Sequence, residues 1–301
     1  MRKKMGMEIE SDSHSVSNKN RRLPDDVSAR RRRRPVRSEL NIVYAFLVRN
    51  FHLSRRYLSW EIVNIFYSII NAMTIGLIGY EVPAATRGSE VLYLVIGALL
   101  WGFLSILFDE VANSIGYERW EGTIEYTFMA PIRRLTHLLG TCFWGVSYGV
   151  LRTIVVLIVV ALFFHLPMHN ANLPAAIVVL LISSLSFMGL GLIAAVLPLL
   201  STERGVQATH IIQGIILLIS GVYYPITVLP HWAQWMAWLS PATYALQMTR
   251  AALLHHAGFG LLWKQMLELA GIGILLIPVG LAIFMTAERY AMRTGRLKRN
   301  G

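Results

Sequence analysis

A single cysteine, Cys142, occurs in 301 residues, and it lies inside an apolar run. One thiol excludes a disulfide framework or a cysteine-built metal site within the chain. Charge is scarce too: 15% of residues are charged, against about a quarter in soluble globular proteins. A cytosolic enzyme is therefore excluded. No G-x-x-x-x-G-K-[ST] loop occurs, nor any Gly-Lys pair from which one could be built, so the cradle that holds a nucleotide's phosphates is missing. The chain is not expected to bind ATP by itself or to be an enzyme. His165 and His169 have a metal-chelating spacing, but Pro167 separates them and no third ligand is evident, so no metal site is expected. His255 and His256 diverge on any helix and read as wet interfacial side chains. Asp109 and Glu110 fall at the inner end of an apolar run, where charge is cheap. No nucleophile, base and orienting group can be assembled.

What the chain has in abundance is apolar sequence. Hydrophobic residues make up 55% of it and its mean hydropathy is +0.51. Crossing a hydrocarbon core about 30 Å thick takes about 20 apolar residues in a helix. Six runs qualify, at 60–79, 91–111, 138–164, 174–200, 206–224 and 267–287. Backbone polar groups cannot face lipid unpaired, and the alternation of a barrel strand is absent, so each run must be helical. The expectation is an all-α integral membrane protein with six transmembrane helices.

Of the 28 Lys and Arg residues, 15 precede Trp60 and five follow Ala287. Short cytoplasmic segments hold the cationic excess, which places the N-terminus inside. Arg49, Arg55, Arg56, Arg119, Arg133, Arg134, Arg204 and the cluster at 289–299 are then internal, whereas Arg87, Arg250 and Lys264 are external. Both termini are expected to be cytoplasmic. Residues 1–38 carry 12 Lys and Arg, including the arginines at 30–34, and read as a disordered tail touching anionic lipid rather than binding nucleic acid. No short apolar core with a small-residue cleavage site opens the chain, so the first span is expected to stay as an anchor. At 39–59, Leu40, Val43, Leu47, Phe51 and Ser54 recur at helical spacing. That pattern suits an amphipathic helix in the inner interface, or a cytosolic extension of the first span. Residues 60–287 form the six-helix domain and 288–301 a second basic tail.

Within the spans, polar side chains are few enough to single out. Arg152 sits near the middle of the third, where its insertion costs about 3 kcal/mol unless it finds a partner or water. It either meets cargo or a carboxylate in a transport path, or is a structural ion pair or a snorkelling side chain. Gly145 and Gly149 form a G-x-x-x-G face suited to close helix packing. Asn64, Ser68 and Asn71 recur along one face of the first span, and Thr209, Gln213 and Ser220, with His210 beside them, along the fifth. Such stripes either bond between helices or line a route for polar or amphipathic cargo. After the fifth run, Pro225, Pro230 and Pro241 interrupt a segment rich in Trp232, Trp235, Trp238 and Tyr244. It is too broken to cross and is expected to form short re-entrant helices in the outer leaflet, its aromatics an interface belt.

The loop between the second and third spans reads Tyr117-Glu118-Arg119-Trp120-Glu121-Gly122-Thr123-Ile124-Glu125, then Ala130-Pro131-Ile132 and Gly140. It resembles the signature of the permease subunits of ABC-2 type exporters. A second block, Tyr224-Pro225-Ile226 through Leu229-Pro230 and Leu239-Ser240-Pro241 to Arg250, looks like the family's segment after the fifth span. The resemblance covers the chain from about Leu40 to Ala287. Thr123 can cap a short helix whose first turn holds Glu125 and which Pro131 ends. In the family this is a coupling helix seated in a separate ABC ATP-binding subunit, which implies contacts from Glu118, Arg119, Glu121, Gly122, Thr123 and Glu125. The resemblance further implies ATP and Mg bound by that partner, a second copy of the chain, first and fifth spans facing one another around the path, and residence in the plasma or inner membrane. A hydrophobic small molecule, a lipid or a lipid-linked glycan is the implied cargo. Family members often have Asn where Ser240 stands. An ATP-independent secondary carrier or a membrane anchor subunit are the rival readings; a carrier would show inverted halves and several intramembrane carboxylates.

Overall fold

A computed structural model describes residues 36–120, 122, 134–166, 171–201 and 204–294. Among them all regular structure is helical: α1 Val36–Arg56, α2 Leu58–Ile78, α3 Ala84–Trp120, α4 Arg134–Phe164, α5 Leu173–Ala194, α6 Val196–Leu200, α7 Gly205–Ile219, α8 His231–Leu239, α9 Pro241–Leu254 and α10 Phe259–Arg293. Five of the elements are long and apolar enough to cross a membrane: α2 with its 3-10 extension, the first part of α3, most of α4, α5 with α6, and α10. The protein is a multi-pass membrane protein.

The most apolar windows of α3 and α5 are 61% and 56% buried, against 17% for α2, 17% for α4 and 22% for α10. The first two are therefore the central pillars. Phe103, Phe108, Leu100, Leu104 and Leu107 of α3 form the middle of the core, with α2, α4, α5 and α9 packed around them. The expected close approach at Gly145 and Gly149 is present. A Cβ on Gly149 would lie 3.0 Å from Phe103 and one on Gly145 3.2 Å from Glu110, both on α3. The amphipathic segment is helical as α1 and lies along α4, where a Cβ on Gly140 would meet Phe46 at 2.7 Å.

Helix ends depart from the apolar runs at several places; α3, for one, runs from Ala84 to Trp120 and α10 starts at Phe259. The fourth run breaks at Ala195 into α5 and α6, where Pro198 removes a backbone donor. The fifth run was expected to reach residue 224, but α7 stops at Ile219. Gly221 there takes a φ of +67°, which favours glycine and ends the helix. At about 1.5 Å per residue, a 15-residue helix spans about 22 Å, less than a full hydrocarbon core. The last helix runs six residues beyond the expected boundary at Ala287, to Arg293.

Candidate functional site

The polar positions of the spans fall into two groups, each turned onto a different neighbour. On α2, Glu61, Asn64, Ser68 and Asn71 share one face. Arg152 of α4 donates from one Nη to the Asn64 carbonyl at 2.7 Å and to the Ser68 hydroxyl. One turn away, Tyr148 donates its hydroxyl proton to Glu61. Among the described residues Arg152 makes no direct ion pair. Hydrogen bonds to a charged group contribute about 1.5–3 kcal/mol each. Two of them are enough to offset the insertion cost of about 3 kcal/mol.

Beside this network lies a shallow, open-sided cleft between α2, α3 and α4, with an enclosed volume of about 50 Å³. Ser68, Asn71, Arg152 and Thr153 give it a polar edge, and Leu99, Phe103, Ile106 and Val156 an apolar wall. Gly102 forms part of that wall, and nothing lies within 4 Å of where its Cβ would stand. Asn71 is exposed, whereas Asn64, Ser68 and Arg152 are half-buried.

The α7 stripe points into the chain's own helix bundle. Thr209, Gln213 and Ser220 are buried and His210 is exposed. Gln213 donates to Asp109 of α3 at 2.7 Å, and His210 Nδ1 lies 3.4 Å from the other polar atom of that amide. Thr209 bonds back to the Val206 carbonyl, and the Ser220 hydroxyl lies 2.8 Å from that of Ser240. Within the chain this stripe is therefore a seam between α7, α3 and the segment that follows α7.

That segment is held by Arg250 on α9. Its guanidinium donates to the carbonyls of Gly221 at 3.0 Å and Val222 at 2.5 Å, and stacks over the Tyr93 ring at 3.6 Å. Burial pushes its pKa down to about 10, which leaves it charged at neutral pH. Pro230 immediately precedes α8 and Pro241 opens α9, where a missing N–H costs nothing. The expected short helices are thus α8 and α9. Trp232, Trp235 and Trp238 are exposed, as are Pro225 and Pro230, while Pro241 is buried.

Glu118 and Arg119 are in the last turn of α3, and Gly122 follows with a φ of +74°. Glu121, Thr123, Glu125 and Pro131 lie outside the described residues, as do His169, most of the basic tail at 1–38 and the chain after Thr294. Three participants were not singled out from the sequence: Glu61, Tyr148 and Gly102. Glu61 precedes Asn64 by three residues and Tyr148 precedes Arg152 by four, so both sit on already marked helix faces. Gly102 carries no such signal.

The sequence profile described as "ABC-2 type transporter" matches residues 42–254. The chain is 30% identical over 151 residues to "ABC transporter G family member 20" of Dictyostelium discoideum, covering 49% of this chain and 20% of that protein. It is 21% identical over 154 residues to "Probable multidrug ABC transporter permease YbhR" of Escherichia coli K12, covering 51% of this chain and 41% of that one. The matched region thus spans well under half the length of these curated relatives.

Proposed function

The chain belongs to the ABC-2 type transporter family, and from that premise we propose that it is the membrane-spanning subunit of an ABC exporter. The match across residues 42–254, which includes both sequence blocks, carries this reading. Two copies and two separate ATP-binding subunits form the working unit. ATP and Mg are held by the partner. Cargo moves outward because its affinity differs between two states of the bundle, and only such a difference lets nucleotide turnover do transport work. Relatives of this kind include a protein named as a multidrug permease, which favours a hydrophobic or amphipathic cargo.

In this reading the chain crosses six times. The fifth crossing, α7, is short by itself and is completed by the Ser220–Tyr224 turn. Helices α8 and α9 then lie in the outer leaflet, α1 lies in the inner interface, and both termini are cytoplasmic. The apolar part of α3 ends at Ala112, and the helix continues to Trp120, about 12 Å further at 1.5 Å per residue. This stalk carries Glu118 and Arg119, and these, with Glu121, Gly122, Thr123, Glu125 and Pro131, are the residues that couple the chain to the ATP-binding subunit in this reading. Asn64, Ser68, Asn71 and Arg152 belong to the cargo route, while on the moving α7 Gln213, with His210 beside it, bonds Asp109 of α3, Ser220 bonds Ser240, and Thr209 bonds back within the helix.

The test is reconstitution with the ATP-binding subunit and parallel measurement of ATP hydrolysis and cargo flux. Glu125→Lys, or deletion within residues 122–132, is expected to leave membrane insertion intact. Flux per ATP falls by about 5–150-fold, the size of a typical coupling free energy. Normal flux in these variants overturns the coupling role.

A further inference from the structure

Arg152 is a cation near the middle of a span whose hydrogen-bond acceptors are both neutral: the Asn64 carbonyl and the Ser68 hydroxyl. Those bonds offset the cost of inserting the side chain; the nearby carboxylate on the same α2 face, Glu61, is engaged by Tyr148 and makes no direct ion pair with Arg152 among the described residues. Its Nε is buried with no hydrogen-bond partner, so the network around it is not saturated. The same residue lines the cleft between α2, α3 and α4, whose far wall is apolar. Residue 152 is twelve positions from each end of the Gly140–Phe164 span, about 18 Å along the helix. The head group of an ordinary bilayer lipid rests at the interface, well short of this depth.

We propose that the α2/α3/α4 cleft binds an amphiphile with one acidic head, a carboxylate or phosphate held at Arg152 beside Ser68 and Asn71, its apolar body against Leu99, Phe103 and Val156. A neutral or cationic head gains nothing there. Guanidinium matches the planar or tetrahedral oxygens of such a head, and the low dielectric strengthens the pairing. The proposal deepens the export reading by naming a substrate class, and it rests on that reading only in calling the occupant cargo. Cargo and a membrane lipid in transit share this chemistry.

The test uses the full chain in lipid nanodiscs at pH 8, without any ATP-binding subunit. The probes are a diazirine-bearing fatty acid and its primary amide, an uncharged twin, with cross-linked peptides mapped by mass spectrometry. The acid is expected to label residues 98–106 and 152–156 about tenfold more than the amide. Arg152→Gln abolishes that preference and Arg152→Lys keeps most of it. Gly102→Leu fills the cleft where no atom stands in the way, disturbs no polar partner, and removes labelling by both probes. Equal labelling by acid and amide, or unchanged labelling in Gly102→Leu, overturns the site. A second arm adds the ATP-binding subunit: labelling that falls on ATP turnover identifies cargo, and labelling indifferent to ATP identifies a lipid, with the site supported either way. Because the first arm needs no partner, failure of the site and failure of the export reading give different results.

Discussion

Gly97 leaves no room for a side chain. A Cβ there would stand 2.1 Å from the Val222 carbonyl oxygen and 3.0 Å from the Arg250 guanidinium. The backbone after α7 thus lies directly on α3, and Arg250 bonds two of its carbonyls while stacking on Tyr93. Gly97→Ala must push this turn away, because the obstructing atom is backbone. Overpacking of this kind costs about 1–3 kcal/mol or more. Gly88, on the same helix with nothing within 4 Å of its would-be Cβ, is the control, since Gly→Ala in a helix stabilises by about 0.5–1 kcal/mol. Thermal unfolding in detergent, followed by circular dichroism, should show a lowered midpoint for Gly97→Ala and an unchanged or raised one for Gly88→Ala. Equal midpoints would mean that the turn yields freely and that Arg250 is not a clamp.

Between elements, small residues decide how closely helices meet. The α5–α10 contact is made at Gly189, Gly273 and Gly280: would-be Cβ atoms lie 2.6 Å from Leu276, 2.8 Å from Leu185 and 2.7 Å from the Gly189 carbonyl oxygen. Ser186 adds a bond to the Leu269 carbonyl at 3.2 Å. Close backbone approach of this kind is what holds helices together in lipid, where hydrophobic driving force is absent. Gly280→Leu is therefore expected to split the pair and shift the protein to aggregates on size exclusion, whereas Gly271→Leu on the same helix, with open space at its Cβ, elutes as the parent does. The long helices were legible because an apolar run of 20 residues in lipid has no other stable form. The end of α7 was not. Hydropathy runs on through Val222 and Tyr223, and the stop comes from Gly221 and from Arg250, 28 and 29 residues away along the chain. Helical spacing likewise marked Thr209, Gln213 and Ser220, but not their direction. Gln213 turns inward because Asp109, 104 residues earlier, accepts its proton, and no local pattern encodes such a partner.

At the scale of the whole molecule, apolar side chains left uncovered by the protomer must meet either lipid or a second copy. Phe66 and Tyr67 of α2 are 62% and 70% exposed, Ile211 and Leu218 of α7 66% and 60%, and Leu275 of α10 66%. Exposure alone does not separate the two fates. The two-copy reading does, because it sets α2 of one protomer against α7 of the other, and a two-fold axis makes that contact twice. Cys142, the natural thiol, is buried and free, so Cys142→Ala yields a background in which any disulfide must come from introduced positions. On it, Tyr67→Cys combined with Ile215→Cys should give a band of twice the protomer mass after oxidation in native membranes. Leu275→Cys, facing lipid in this arrangement, should stay monomeric. Cross-linking through Leu275→Cys with none through the α2/α7 pair would place the contact on α10. The cargo route could then not run between α2 and α7 of facing copies, and the cleft at Arg152 would open directly to lipid.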